Sequence, residues 1–85
     1  METRVAVMSI IVEEGGQIEQ INALLHEFSE YIIGRMGLPY RQKNINIISI
    51  AIDAPQNVTS TLSGKIGKRA GVSVKTAYSG VITHE

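Results

Sequence analysis

The sequence holds no cysteine and no tryptophan, and only two prolines, two histidines and four aromatic residues among 85. Without cysteine there can be no disulfide and none of the common structural zinc sites. Eight basic residues balance eight acidic ones, so no field of one sign would recruit nucleic acid or an anionic membrane. No segment approaches the ~20 apolar residues needed to span a bilayer as a helix. Met1-Glu-Thr-Arg4 runs directly into apolar residues without a basic-then-apolar signal pattern, and the expectation is a cytoplasmic protein. A chain this short buries roughly 60–65% of its unfolded surface. Small chains gain stability from disulfides, metals or self-association, and the composition leaves self-association.

What is present is a periodicity that switches between two and 3.6. Arg4–Val12 reads as a strand, and Gln17–Tyr31 carries Ile18, Ile21, Leu24, Leu25 and Phe28 at helical spacing. Glu13-Glu-Gly-Gly16 between them is a tight turn, and Glu27 and Glu30 fall on the helix's solvent side. A second strand is expected from Ile32 to about Met36. A hairpin loop over 37–44 is expected next, rich in glycine, proline and polar residues. Ile45–Asp53 forms the third strand. A second helix is expected from about Pro55 to Lys68, with Val58, Leu62 and Ile66 as its stripe and Pro55 in its first turn. Gly64 and Gly67 weaken this helix but let it lie close to a sheet, and Gly71 suits the helix C′ position. Val72–Tyr78 forms the last strand. The expected organisation is one domain over 1–79 and a frayed tail over 80–85.

The order β-α-β-β-α-β, with right-handed crossovers, specifies a ferredoxin-like α+β fold: a four-stranded antiparallel sheet with both helices on one face. The first and third strands are central in that arrangement, and both are apolar on both faces. Ile48, Ile50 and Ile52 oppose Ile45, Ile47, Ser49 and Ala51; Ala6, Met8, Ile10 and Val12 oppose Val5, Val7, Ser9 and Ile11. Two helices cover one face, and a half-exposed antiparallel sheet should be polar on the other. The expectation is a homo-oligomer, dimer or tetramer, closed through Val5, Val7, Ile11, Ile45 and Ile47.

Several activities carried by this topology are disfavoured. Sheets that bind RNA in this way place aromatics on their central strands, and here those strands have none. Copper carriers of this shape need Cys-x-x-Cys. A phosphatase of this shape would present an arginine after the first strand, where Glu13 and Glu14 stand. Neither His26 nor His84 has a carboxylate or serine spaced to make it a catalytic base, and no cofactor or metal site is expected. Lys65, Lys68 and Arg69, with Lys75 nearby, are read as a solvated helix terminus favoured by the dipole. Gly64-Lys-Ile-Gly67 matches a Gly-x-x-Gly loop only superficially. Gly15 and Gly16 serve as a plain turn, and they could also expose N–H groups of the helix start to an anionic ligand group.

Gly34-Arg-Met-Gly-Leu-Pro-Tyr-Arg41, the Ile45–Asp53 strand, Leu62-Ser-Gly-Lys-Ile-Gly67 and Gly71-Val-Ser-Val-Lys75, in this order, resemble the proposed iron-only hydrogenase system regulators. The resemblance runs from Arg4 to about Ser79. It implies a small cytoplasmic ACT-like domain, a non-catalytic regulatory or sensor module working as a homo-oligomer with a small-molecule effector or a hydrogenase-related protein partner. The alternative is an interaction scaffold without ligand, using Leu38-Pro-Tyr-Arg41. For a ligand, the ACT-like pattern points to Glu14, Gly15, Gly16 and Gln17, with the two glutamates favouring a zwitterion. The chain is similar, more distantly, to the carboxy-terminal domain of the nickel-responsive repressor, with His26 at a ligand position. Gly37 and Pro39 stand where further ligands would be needed, so nickel binding does not carry over. No DNA-binding helical motif is present.

Overall fold

The computed structural model describes residues 1–84. Its elements are β1 (Glu2–Val12), α1 (Ile18–Glu27), β2 (Ile32–Tyr40), β3 (Ile45–Ala54), α2 (Gln56–Gly67) and β4 (Val72–His84), with single 3-10 turns at Ser29–Tyr31 and Arg41–Lys43. The strands form one antiparallel sheet in the order β2-β3-β1-β4, with both helices on the same side. This is the ferredoxin-like arrangement, and β1 and β3 are central as expected.

Alternation along the central strands selects the core. Ala6, Met8, Ile10 and Val12 of β1 are buried beside Ile48, Ile50, Ile52 and Ala54 of β3, in a register that pairs Met8 with Ile50 and Ile10 with Ile48. Ile21, Leu24 and Leu25 of α1 and Leu62 and Ile66 of α2 close over them. Each fully buried aliphatic side chain contributes roughly 1.5–3 kcal/mol of transfer free energy. At Gly67 α2 lies close against the sheet: a Cβ there would stand 2.9 Å from Val74 Cγ1. Gly64 faces open space, so only one of the two helix glycines permits close packing.

The element ends differ from the sequence expectation in five places. Helix α1 stops at Glu27, and Phe28 N–H and Tyr31 N–H close the chain into a 3-10 turn by donating to Leu24 O and Phe28 O. β-branched Ile32 and Ile33 then favour extended backbone. Strand β2 continues through Gly37 and Pro39 to Tyr40, leaving a turn of only 41–44 with Asn44 at φ 54°. An edge strand bonds on one side only, so proline is tolerated there. Gly71 is not the helix C′ residue; α2 is capped at Lys68, and Gly71 takes φ 74° immediately before β4.

The expected 80–85 tail is strand through His84, while Glu85 lies outside the described residues. Strand β1 begins at Glu2 rather than Arg4, and its first residues pair Glu2 with His84, Thr3 with Thr83 and Arg4 with Ile82. The ladder shifts register between Arg4 and Ala6. Ser79 Oγ donates to Val5 O there and accepts from Val81 N–H at 3.0 Å. Backbone groups of β1 left unpaired would disfavour a frayed end. The pairing continues instead.

Candidate functional site

The sheet face turned away from the helices is apolar and leaves Val7, Ile11, Met36, Leu38 and Tyr40 exposed. All five expected interface residues lie on it: Val5 pairs with Asp53, Val7 with Ala51, Ile11 with Ile47, and Ile45 with Tyr40. Val7 is 43% exposed and Ile11 40%, values high for β-branched apolar residues at the centre of a sheet. Strand β2 adds Met36, Leu38 and Tyr40, each opposite a β3 residue of the same face. The sequence reading keeps Leu38 and Tyr40 off this face because glycine and proline assign 37–44 to a loop; Met36 falls at the end of the expected second strand and is not among the expected interface residues. The alternation Met36-x-Leu38-x-Tyr40 was the available signal. One row of the face is polar on three strands, with Ser49, Ser9 and Lys75 side by side and Met36 at its β2 end.

A second region forms where the β1–α1 turn meets the α2–β4 turn. Gly15 takes φ 87°, a conformation that costs other residues ~1–2 kcal/mol. Gly16 N–H donates to Glu13 O at 2.8 Å, and Glu13 N–H donates to Gly71 O at 2.7 Å. A Cβ on Gly71 would lie 3.6 Å from the Gly16 backbone, so the two turns pack main chain to main chain. Gln17 precedes α1 and its side chain caps none of the first N–H groups. A cleft of about 360 Å³ is lined by Gly15, Gln17, Lys68, Arg69 and Ala70, and a shallower one of about 350 Å³ runs over 16–20. Of the four expected ligand residues, Gly15, Gly16 and Gln17 line these clefts; Glu14 lines neither.

Sequence spacing assigns Lys65, Lys68 and Arg69, with Lys75 nearby, to one solvated helix end. The fold divides that cluster. Arg69 Nη1 donates to Gln20 Oε1 of α1, while Arg69 Nε is shielded and makes no hydrogen bond. Lys65 stands 5.6 Å from the centre of the Phe28 ring, in cation–π range. Lys75 is on the open sheet face, opposite Ser9. Nothing in the local spacing reveals that 68 and 69 meet 15 and 17, because the contact depends on how both crossovers end.

A third, smaller cleft of about 240 Å³ lies between α1 and β2, where Arg35 Nη2 donates to Asn22 Oδ1 at 2.8 Å. His26 is exposed on α1, and His84 Nδ1 stands 3.1 Å from Glu2 Oε2 at the exposed end of the β1–β4 ribbon. Among the described residues no three histidine, aspartate or glutamate side chains converge to hold a metal ion, and no helix is long and apolar enough to cross a membrane. The open sheet face is thus apolar, and the cleft between the turns is lined by polar and cationic side chains.

Comparison with known proteins agrees with this fold. Residues 4–76 match the model of the TM1266-like family, described as a proposed iron-only hydrogenase system regulator. The structure of the uncharacterized protein TM1266 from Thermotoga maritima superposes with a TM-score of 0.85 at 39% identity, over 89% of this chain and 96% of that one. A formyltetrahydrofolate deformylase from Pseudomonas putida KT2440 (TM-score 0.60, 12% identity) is matched over 86% of this chain and 28% of its own. An unknown protein from Galdieria sulphuraria (TM-score 0.61, 12% identity) is matched over 95% of this chain and 48% of its own. At such identities these two share the fold alone. No curated protein sequence matches the chain.

Proposed function

We propose the following role for this chain, which belongs to the TM1266-like family: a regulatory module, without catalysis of its own, that works as a homo-oligomer closed through the open sheet face. The observation that carries the proposal is the apolar character of that face, where Val7, Ile11, Met36, Leu38 and Tyr40 remain exposed. Four strands about 4.8 Å apart and some ten residues long present on the order of 600 Å² of flat surface. That is comparable with the ~800 Å² per partner of a standard stable interface. A second copy is the favoured occupant. The chain carries no net charge, so copies do not repel one another.

Changing Ile47→Lys places a charge inside the proposed interface. The expected product is a folded monomer by light scattering at micromolar concentration, with unchanged circular dichroism. A wild-type chain that runs as a compact monomer under the same conditions overturns the proposal.

The effector reading places a small molecule at the cleft between the two turns. Lys68 and Arg69 offset Glu13 and Glu14, and supply the partner for an anionic group that the glutamates alone would repel. A thermal-shift screen with amino acids, nucleotides and inorganic phosphate tests this, since a ligand that binds only the folded state raises the melting temperature. The expected hit loses its effect in Arg69→Ala and keeps it in Ile47→Lys. A hit insensitive to Arg69→Ala, or no hit at millimolar concentration, favours the scaffold without ligand, for which the exposed Leu38 and Tyr40 are the supporting observation. The hydrogenase-related protein stays a proposed partner in either reading.

A further inference from the structure

The open sheet face carries two opposite charges that cannot meet within one chain. Asp53 lies across the ladder from Val5, and Lys75 across from Ser9. The two are separated by two strand spacings and four residues of strand, about 17 Å between Cα atoms. Their combined side-chain length does not span that gap. Asp53 Oδ1 is nevertheless shielded from solvent and accepts no hydrogen bond. Arg4, the nearest cation on the neighbouring strand, is across from Ala54 and alternates to the helix side, and no ion pair joins it to Asp53. Asp53 is thus a half-buried carboxylate on the open face with no cation partner among the described residues.

The positions of these residues are related by a simple symmetry. Val7 lies on the strand between those of Asp53 and Lys75, and at the row halfway between theirs. In an isologous dimer the same patch meets itself, and contacts come in reciprocal pairs. A two-fold axis passing at Val7 carries the Lys75 of one copy onto the Asp53 of the other, twice. We infer that the open face is the interface of a two-fold dimer in which Asp53 of each copy pairs with Lys75 of the other across a Val7–Val7 contact. The small residues Ser9, Ser49, Ala51 and Ala77 around that point leave room for close approach of the two sheets. This rests on the homo-oligomer reading above and adds the orientation of the copies and the pair that sets it.

A charge swap tests the pairing. Asp53→Lys alone and Lys75→Asp alone each bring like charges together at both contacts, and each is expected to raise the dimer dissociation constant at least about tenfold. The double variant restores opposite charges and is expected to return to within about threefold of wild type. Mixing the two single variants should give a heterodimer, seen by native mass spectrometry, because both of its contacts are oppositely charged. Asp53→Asn and Lys75→Gln, which preserve shape, keep the test open if a reversal fails to fold: each should weaken the dimer and make it less sensitive to salt. If Ile47→Lys disrupts the dimer while all the charge variants dimerise like wild type, the pairing is overturned and the sheet-face interface stands. A wild-type monomer overturns both.

Discussion

Two glycines of this chain should respond to the same substitution with opposite sign. An added Cβ on Gly64, inside α2, meets nothing within 4 Å. On Gly16 it would stand 2.6 Å from Val12 Cγ1 and 2.9 Å from Glu13 O. Both replacements by alanine remove the same conformational freedom from the unfolded chain, so the difference between them reports the folded state. Gly64→Ala should stabilise by about 0.5–1 kcal/mol, the helix-interior difference between the two residues. Gly16→Ala has no such outlet. Val12 is 1% exposed in the core, and Glu13 O holds the turn by accepting from Gly16 N–H. Overpacking of this kind costs about 1–3 kcal/mol. In a domain of this size 1 kcal/mol moves the melting temperature by about 4–8 °C. Thermal unfolding followed by circular dichroism, at one fixed protomer concentration, should show Gly64→Ala melting about 2–8 °C higher. Gly16→Ala should melt roughly 5–20 °C lower. A Gly64→Ala variant that melts below wild type would refute the reasoning, since something would then have to occupy the space beside α2.

Three further outcomes are expected. Thr59 is 1% exposed and its hydroxyl has no hydrogen-bond partner, so Thr59→Val should raise stability by about 1 kcal/mol in urea unfolding; a loss would indicate an ordered water on that hydroxyl. Leu62→Ala removes a fully buried side chain between α2 and the sheet and should cost about 2–5 kcal/mol, read as a lower urea midpoint at constant slope. Elemental analysis of tag-free protein should find less than one equivalent of transition metal per chain. Stoichiometric metal lost on His26→Ala would reverse that expectation.

The order of elements was legible in the residues because burial imposes a period. Ile18, Ile21, Leu24, Leu25 and Phe28 have the helical spacing that only a packed face requires, and Ile48, Ile50 and Ile52 the alternation of a strand. The alternation of the two central strands likewise shows in the residues themselves that the sheet face away from the helices is apolar. What local pattern could not supply was anything decided by a neighbour. Pro39 and Gly37 read as loop until an edge position excused them from half the ladder. Residues 80–84 read as tail until β1, reaching back to Glu2, gave their backbone groups a partner. The placement of Lys68 and Arg69 against Gly15 and Gln17, and of Lys75 and Asp53 on one open face, was beyond reach for the same reason. Periodicity records which side of an element is buried, whereas the meeting of distant side chains depends on crossover lengths and strand register, which exist only once the sheet has closed around its core.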